Sequence, residues 1–480
     1  MANMYLEGNF APVQQELTAF DLEVTGTIPD FLDGRYVRNG PNPIGEVDPQ
    51  TYHWFMGDGM VHGVRLAEGN ARWYRNRWVR VSDPANPPKH RAGIELFGAN
   101  TNVIGHAGKT LALIEGGMAN YELDEELDTV GPCDFDGTLP GGYTAHPHRD
   151  PVTGELHAIT HFFGRGDIVQ YSVIDVRGRA RRIVDIPIRG VPMMHDFSLT
   201  EKYVVLYDLP VTFDPQAAAA MTMPRPLRYP TRLLLSALIG RVRVPDPITA
   251  MVGRRMRPND RLPARWNPAH PARVGLLPRE GTAADIRWFD VSPCYVFHPL
   301  NAYDDGDTVV LDVVRHPRMF VTDRNGPDEG PTTLDRWIVD PRAGAVRESR
   351  LDDRSQEFPR IDERLVGRKH RYGYTMEALG GGSPAGALFK HDLVAGTTIE
   401  KRLGPGIQPS EFSFVPSRPD AAEDEGVLMG YQYNEATRRS DLLILDAQTM
   451  STMATVHLPD RVPNGFHGSW IPTTDAERLR

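Results

Sequence analysis

The chain has 480 residues, of which 40% are hydrophobic, and its 63 acidic and 53 basic residues give a net charge of −10. An acidic balance argues against nucleic acid as a partner, and two cysteines, Cys133 and Cys294, are too few for a disulfide framework. The sequence has no apolar run of about 18 residues that would predict a transmembrane helix, and its first 20 residues lack the basic and apolar regions of a signal peptide. We therefore expect a cytoplasmic protein.

The length would allow about three average domains. No linker-like stretch or shift in composition divides the chain, so we expect a single domain over residues 1–480. The 45 glycines and 41 prolines favour many turns and short strands over long helices.

Six segments share one pattern, in which two runs of alternating apolar residues flank an acidic or glycine-containing turn. They lie at residues 64–79, 121–131, 171–187, 336–351, 390–403 and 442–459. Alternation with a period of two around such a turn predicts a β-hairpin. Six irregularly spaced hairpins favour an all-β fold, and a β-propeller with loop insertions fits them best. A β-sandwich is the alternative, but it needs two or more copies to account for 480 residues.

Residues 216–257 depart from the hairpin pattern. This segment holds eight arginines and one acidic residue, Asp246, and its stretch TRLLLSALIGRVR (231–243) predicts a short helix with an apolar face flanked by arginines. Such a helix can rest on a membrane surface or gather an apolar substrate. It can equally be an insertion that covers the core, and the sequence leaves both interpretations open.

Four histidines precede or open predicted strands and lie close to Pro, Gly or Asn: His146, His195, His298 and His467. The inner end of a propeller blade has this character, so four blades would each bring one imidazole to the axis and together form a metal site. A single histidine of this kind is more often a buried structural residue. His157 and His161, in the stretch HAITH, are four residues apart but lack the glutamate of a zinc-protease helix and lie in a predicted strand, so we do not predict a metal motif there.

Three glutamates lie in apolar or tightly turned stretches, where a charge needs a partner: Glu115, Glu357 and Glu411. Accepting the second ring N–H of a metal-bound histidine would satisfy each of them and fix the orientation of the ring. Pairing with nearby arginines is the alternative, for example Glu357 with Arg360.

With these residues in place, the chain resembles the carotenoid cleavage oxygenases, a family of non-haem iron enzymes, almost from end to end. The matching stretches, in family order, are GRYVRNGPNP (34–43), FMGDGMVHGVRL (55–66), YTAHP, MMHDFSLTEKYVV, FHPLNAYDDGD, EFPRI, AEDEGVLMGYQY and FHGSW. The resemblance implies a seven-bladed β-propeller with a helical cap over its top face. It also implies one Fe(II) per chain on the four histidines, with Glu115, Glu357 and Glu411 as the carboxylates that orient them. One departure is Phe412, where many members carry proline after the glutamate.

The resemblance further implies a dioxygenase that cleaves a carbon–carbon double bond with O2 into two carbonyl products, and we expect the protein to be a monomer. Stilbene-cleaving relatives typically carry a lysine before the first glutamate to hold a phenol, and this chain has Ile114 there, so we expect a hydrophobic polyene, a carotenoid or apocarotenoid. A stilbene- or phenylpropanoid-cleaving enzyme, a polyene isomerase and a non-catalytic propeller are alternatives. A hydrolase is a further one, but the chain has no G-x-S-x-G elbow.

The predicted pocket residues are Ile114, Tyr143, Phe297 and Trp470. Met193, Met194 and Phe197 are expected to give an apolar wall near the metal, and His62 is expected to make a structural contact.

Overall fold

The computed structural model describes residues 3–50, 52–82, 92–222, 225–238, 263–321, 329–378 and 386–474. Its antiparallel strands form seven main sheets, which we call blades 1 to 7 in chain order. The fold is a seven-bladed β-propeller, as the resemblance implied. Each blade is a meander, because short alternating strands joined by tight turns pair with their neighbours in the chain.

In four blades the strands run from the axis outward in simple chain order. Blade 2 consists of Asn102–His106, Lys109–Leu113, Asn120–Leu123 and Thr129–Cys133. Blade 3 consists of His148–Arg149, Leu156–His161, Ile168–Ile174 and Ala180–Pro187. Blade 5 consists of Pro299–Asp305, Thr308–Arg315, Thr333–Asp340 and Ala345–Asp352. Blade 6 consists of Gln356–Arg360, Tyr372–Glu377, Ala387–Asp392 and Thr397–Arg402.

Blades 1 and 7 join the two ends of the chain. Blade 1, from the axis outward, consists of Gly468–Pro472, Gly34–Pro41, Gly59–Ala67, Asn70–Trp78 and Leu17–Phe20. The inner edge of blade 7 consists of Ile407–Pro409 and Ser413–Pro416, which pair one after the other along Gly426–Asn434. Arg439–Asp446, Thr452–His457 and Val24–Gly26 follow outward. The innermost strand of blade 1 therefore comes from the end of the described chain, and the outermost strand of blade 7 comes from its beginning.

Blade 4 carries the insertion. It consists of Ser198–Leu199, Tyr203–Asp208, Arg273–Pro278 and Arg287–Asp290. Its second and third strands are separated by a two-stranded sheet and two α-helices: Val211–Phe213 with Ala264–Trp266, and α1 (Pro215–Thr222) and α2 (Arg228–Leu238). Six short 3-10 helices complete the described elements: Met4–Leu6, Gly8–Phe10, Phe163–Arg165, Arg225–Leu227, Ala283–Asp285 and Glu363–Leu365.

All six hairpins predicted from the sequence are confirmed, and each forms the outer part of a blade. Blade 4 supplies a seventh, which the pattern missed because Ala283–Asp285 interrupts its connection. The helix predicted at 231–243 is confirmed from Arg228 to Leu238, and the rest of that segment, with Asp246, lies outside the described residues. Within the described residues, no helix combines the length and the apolar composition needed to cross a bilayer.

The hydrophobic core is divided into layers between neighbouring blades. Tyr36 and Val64 of blade 1 pack against Val427 of blade 7, for example, and Val274 of blade 4 packs against Leu311 of blade 5. Each of the seven blade-to-blade interfaces has such a cluster. The apolar side chains of the core are buried between neighbouring blades. The axis therefore does not have to be filled with apolar side chains, and polar groups can meet there.

Candidate metal centre

The four candidate histidines all lie at the entrance to an innermost strand. His298 and His467 directly precede Pro299–Asp305 and Gly468–Pro472, His146 lies two residues before His148–Arg149, and His195 lies three before Ser198–Leu199. Blades 1, 3, 4 and 5 therefore each place one imidazole on the axis. The sequence pattern predicted that each of these four histidines would precede or open a strand.

The four imidazoles converge on one point. One nitrogen from each ring lies within 4.8 Å of the others, and Nε2 of His195 is 3.2 Å from Nε2 of His298. Nε2 of His146 is buried and has no hydrogen-bond partner among the residues that the structure describes. Nitrogen lone pairs that face one another in a buried space repel unless a cation lies between them, and neutral imidazole is a common metal ligand. The arrangement therefore fits a metal ion.

Three carboxylates fix three of the rings. Nδ1 of His195 donates to Oε1 of Glu115 at 2.7 Å, and Nδ1 of His298 donates to Oε2 of Glu357 at 2.7 Å. Nδ1 of His467 donates to Oε1 of Glu411 at 2.9 Å. A proton held on Nδ1 leaves the lone pair on Nε2, which is the tautomer that binds a metal.

These glutamates come from the remaining three blades. Glu115 follows Lys109–Leu113 of blade 2, Glu357 lies in the innermost strand of blade 6, and Glu411 precedes Ser413–Pro416 of blade 7. All seven blades thus contribute one side chain to the centre. Phe412 does not displace Glu411, because its ring packs in the apolar cluster between blades 6 and 7.

The alternative pairing of Glu357 with Arg360 is wrong. Glu357 accepts a second hydrogen bond, from Nε2 of His316 at 2.8 Å, and Arg360 instead forms an ion pair with Glu411 at 2.9 Å. Burial raises the pKa of Glu357, but His298 and His316 outweigh burial and lower the pKa well below its usual range. Burial likewise raises the pKa of Glu411, and Arg360 and His467 lower it further than burial raises it. Both side chains therefore remain carboxylates.

Burial keeps two of the histidines neutral. Burial and the neighbouring imidazoles hold the pKa of His146 well below its usual value. Burial also lowers the pKa of His467 to about 4, although Glu411 opposes this shift. At neutral pH both rings are therefore in the uncharged form that a metal requires.

A large apolar cavity ends at this centre. His195, His298 and His467 form its polar end, and Ile114 and Phe297, two of the predicted pocket residues, lie in its wall. The other apolar wall residues include Trp54, Phe55, Ile94, Leu96, Met118, Phe162, Val191, Met193, Phe213, Phe358 and Phe466. Phe213 and Ala264, which pair in the two-stranded sheet of the blade 4 insertion, also lie in the wall.

Two predicted pocket residues lie elsewhere. Tyr143 packs on Phe135 in the core between blades 2 and 3, away from the cavity, so placing it in the pocket was wrong. Trp470 lines a second, more polar cavity, on which His146, Asp196 and Glu411 also border. Trp470, in strand Gly468–Pro472, is therefore near the histidines but borders the polar cavity and not the apolar one.

The remaining histidine predictions can be placed as well. His62 is buried and bonds to the hydroxyl of Tyr74 at 2.9 Å, a contact within blade 1 that matches the structural assignment. His157 and His161 lie in strand Leu156–His161, as predicted. Of the predicted apolar wall, Met193 lines the cavity, and Met194 and Phe197 are buried in the cluster behind it, between blades 3 and 4.

Sequence reasoning did not place three polar residues beside the centre, although it had considered His161 and set it aside as a metal ligand. His161 and His316 line the apolar cavity, and Asp196 lies beside His146. His316 and His161 carry no local signal, because each lies inside or after an ordinary strand. Asp196 had one, since it directly follows His195 where the chain reaches the axis.

The comparisons with known proteins agree on one family. The family model described as "Retinal pigment epithelial membrane protein" matches residues 10–472. A carotenoid cleavage oxygenase of Mycobacterium tuberculosis is 57% identical over 493 aligned positions, which cover 98% of each chain. A crystal structure of a cobalt-substituted Synechocystis apocarotenoid oxygenase superposes with a TM-score of 0.78 at 27% identity, covering 96% of this chain and 97% of the other. A lignostilbene dioxygenase of Pseudomonas brassicacearum superposes with a TM-score of 0.80 at 26% identity, covering 98% of both chains.

Fold and site together define a class: a seven-bladed propeller whose axis holds a four-histidine group able to bind a metal, next to an apolar cavity. Enzymes of this class are alkene-cleaving dioxygenases. The chain belongs to the carotenoid cleavage oxygenase family.

Proposed function

We propose that this protein is an Fe(II)-dependent dioxygenase that cleaves one double bond of a carotenoid or apocarotenoid with O2 and yields two aldehydes. The observation that carries the proposal is the apolar cavity that ends at the four-histidine centre. A polyene is apolar along its whole length, so walls such as Ile114 and Phe297 hold it by burial and exclude water.

The chain's own residues have separate roles in this proposal. His146, His195, His298 and His467 hold one Fe(II) through Nε2, and the iron supplies the site at which O2 is activated. Glu115, Glu357 and Glu411 hold three of the rings in the required tautomer. None of the three glutamates has to move a proton, because each is a hydrogen-bond acceptor that stays charged.

Ile114 supports a polyene over a phenol. Its side chain lies in the cavity wall and is 2% exposed, next to Glu115. An aliphatic side chain cannot hydrogen-bond a phenolic oxygen, and an unpaired buried oxygen costs about 1–3 kcal/mol. The Mycobacterium tuberculosis relative is a carotenoid cleavage oxygenase and the Synechocystis relative an apocarotenoid oxygenase, and both names point the same way.

A stilbene- or phenylpropanoid-cleaving dioxygenase is the second candidate. The observation in its favour is the close superposition on the lignostilbene dioxygenase, at a TM-score of 0.80. A polyene isomerase with the same centre is a further candidate, and it differs in conserving the mass of its substrate and needing no O2.

Membrane contact belongs to the same proposal. Arg225–Leu227 and α2 expose four large apolar side chains next to the arginines: Leu227, Tyr229, Leu233 and Leu234. An exposed apolar patch with basic neighbours fits the interface of an anionic membrane, where a carotenoid dissolves. We propose that the enzyme touches the membrane peripherally from the cytoplasm, where the free, buried thiols of Cys133 and Cys294 stay reduced.

We also propose that it acts as a monomer, since one chain supplies every side chain of the centre.

The test combines metal analysis with labelled oxygen. The protein is purified without oxygen, its iron is quantified, and it is incubated under 18O2 with β-carotene, an apocarotenal and a hydroxystilbene in parallel. We expect one iron per chain and 18O-labelled aldehydes from the polyenes alone. His298→Ala, with its unaltered fold checked by circular dichroism, is expected to lose both iron and product.

Other outcomes separate the candidates. Cleavage of the hydroxystilbene alone would move the substrate to the aromatic group and leave the iron proposal intact. A geometric isomer of unchanged mass would identify an isomerase. Full activity without bound iron would contradict the proposed cofactor.

A further inference from the structure

His146 differs from the other three histidines of the centre. No glutamate in the described part of the chain pairs with its Nδ1, whereas His195, His298 and His467 each donate Nδ1–H to one. The carboxylate that faces Nδ1 of His146 belongs to Asp196, whose Oδ2 lies 3.7 Å away. Metal-binding histidines usually give their second ring N–H to a carboxylate, a carbonyl or water.

Asp196 is held in place by its other oxygen. Oδ1 accepts a hydrogen bond from Nε2 of His148 at 2.8 Å and one from the backbone N–H of Phe197 at 2.6 Å. The Asp196 side chain is 5% exposed, and no Arg or Lys among the described residues forms an ion pair with it. These contacts leave Oδ2 as the oxygen available to His146.

We propose that Asp196 is the fourth positioning carboxylate of the centre and accepts the Nδ1–H of His146 when a metal occupies Nε2. This inference rests on the proposed metal binding. The distance of 3.7 Å is longer than a hydrogen bond, and closing it to about 2.9 Å requires a shift of less than about 1 Å. Rotation of the imidazole about χ2 permits such a shift, because that torsion is broad.

The proposal gives adjacent residues two separate tasks. His195 reaches the centre from blade 4, and Asp196, the next residue, turns to His146 and His148 of blade 3. One dipeptide therefore provides one ligand and orients another, across the interface between two blades. No fourth glutamate is needed, which accounts for three glutamates serving four histidines.

The test measures iron affinity directly. Fe(II) is titrated anaerobically into the metal-free protein against a competing chelator, for wild type, Asp196→Asn and Asp196→Glu. We expect Asp196→Asn to bind Fe(II) about 10–100-fold more weakly, the usual loss when such a partner is removed. We expect Asp196→Glu, which keeps the charge, to recover part of that loss.

A matched control is available in blade 5. Asp312 is also buried and also faces a histidine, with Oδ2 3.6 Å from Nε2 of His370, but His370 is not part of the centre. Asp312→Asn is therefore expected to leave iron affinity unchanged, whatever it does to stability. Chemical unfolding of each metal-free variant separates a weakened site from a weakened fold.

A spectroscopic readout completes the test. The electron paramagnetic resonance spectrum of the Fe(II) protein with added NO reports ring orientation at the metal, and we expect it to change in Asp196→Asn but not in Asp312→Asn. If Asp196→Asn does not fold, His148→Gln loosens Asp196 and should weaken Fe(II) binding by a smaller factor. A folded Asp196→Asn with wild-type affinity and an unchanged spectrum would overturn the inference. A wild-type protein that binds no Fe(II) would overturn the proposed cofactor, and this inference with it.

Discussion

At the level of one side chain, we propose that Ile114 selects the substrate. It is buried in the wall of the apolar cavity and directly precedes Glu115, which holds His195. We predict that Ile114→Lys lowers kcat/KM for a polyene by about tenfold or more, because it places a charge against an apolar substrate. The same variant should gain activity on a hydroxystilbene. Product formation on both substrates, normalised to bound iron, measures the change.

Ile114→Met is the control for this change, since it conserves volume and polarity. It should keep the wild-type preference. If Ile114→Lys left the ratio of the two activities unaltered, Ile114 would not set specificity.

The ion pair of Arg360 and Glu411 joins blades 6 and 7 beside the centre. Glu411 is 2% exposed and accepts hydrogen bonds from Arg360, His467 and the backbone N–H of Gly468. We predict that Arg360→Met lowers the free energy of unfolding by about 3–5 kcal/mol, because it leaves a buried carboxylate without its cation. Urea unfolding of the metal-free protein measures the loss. Arg342→Met, which breaks an exposed ion pair with Asp307, should change the stability by less than about 1 kcal/mol.

Residue-level prediction from sequence succeeded where one local rule applied. Near the axis, a histidine or glutamate stands out as a polar residue within an otherwise apolar or tightly turned stretch of sequence. The four histidines and three glutamates could therefore be singled out. The contacts of His316 and Arg360 could not be predicted, because each depends on a partner from another blade. Asp196 could be noticed only by its place directly after His195, since its approach to His146 also joins two blades. Nothing local distinguishes Arg360 paired with Glu357 from Arg360 paired with Glu411, which is 51 residues away.

At the scale of elements, α2 is the segment whose exposed surface needs an explanation. Leu233 and Leu234 are 52% and 57% exposed, beside Arg228 and Arg232. We predict that Leu233→Glu weakens binding to vesicles with anionic lipids by about tenfold, since burying one leucine contributes about 1.5–3 kcal/mol. Sedimentation with vesicles measures the binding.

Val394→Glu is the matched control for α2. Val394 is 71% exposed at the outer turn of blade 6, between Ala387–Asp392 and Thr397–Arg402, so the same change there should not affect vesicle binding. Equal losses in both variants would mean that net charge, and not α2, controls the association.

Hairpins were predictable because their pairing is local. The six predicted ones each form from residues that adjoin in the chain, and their period-two alternation sets both the strands and the turn. The outer hairpin of blade 4, Arg273–Pro278 with Arg287–Asp290, escaped the pattern because Ala283–Asp285 interrupts its connection. The order of the strands within blades 1 and 7 was likewise out of reach, since it joins the beginning of the chain to its end.

At the scale of the whole molecule, that joining closes the ring. Val24–Gly26 pairs with Thr452–His457, and a Cβ added at Gly26 would collide with the carbonyl oxygen of Met453. We predict that Gly26→Ala destabilises the protein by about 2–5 kcal/mol, the sum of left-handed backbone strain at φ +87° and overpacking. Thermal or urea unfolding measures the loss.

Gly108→Ala separates the two causes. Gly108 has a similar φ of +74°, but nothing lies within 4 Å of the added Cβ. It should lose only the backbone part, about 1–2 kcal/mol. Equal losses at the two glycines would show that closure at blade 7 tolerates the added methyl.

The innermost strand of blade 1, Gly468–Pro472, also determines when the four-histidine centre becomes complete during synthesis of the chain. A ribosome makes His146, His195 and His298 in that order, and His467 follows only with Gly468–Pro472, after the strands of every other blade have been synthesised. A nascent or truncated chain therefore has at most three of the four histidines. If these histidines bind a metal as proposed, metal loading is a late step of biogenesis, because a partly made chain lacks the fourth histidine.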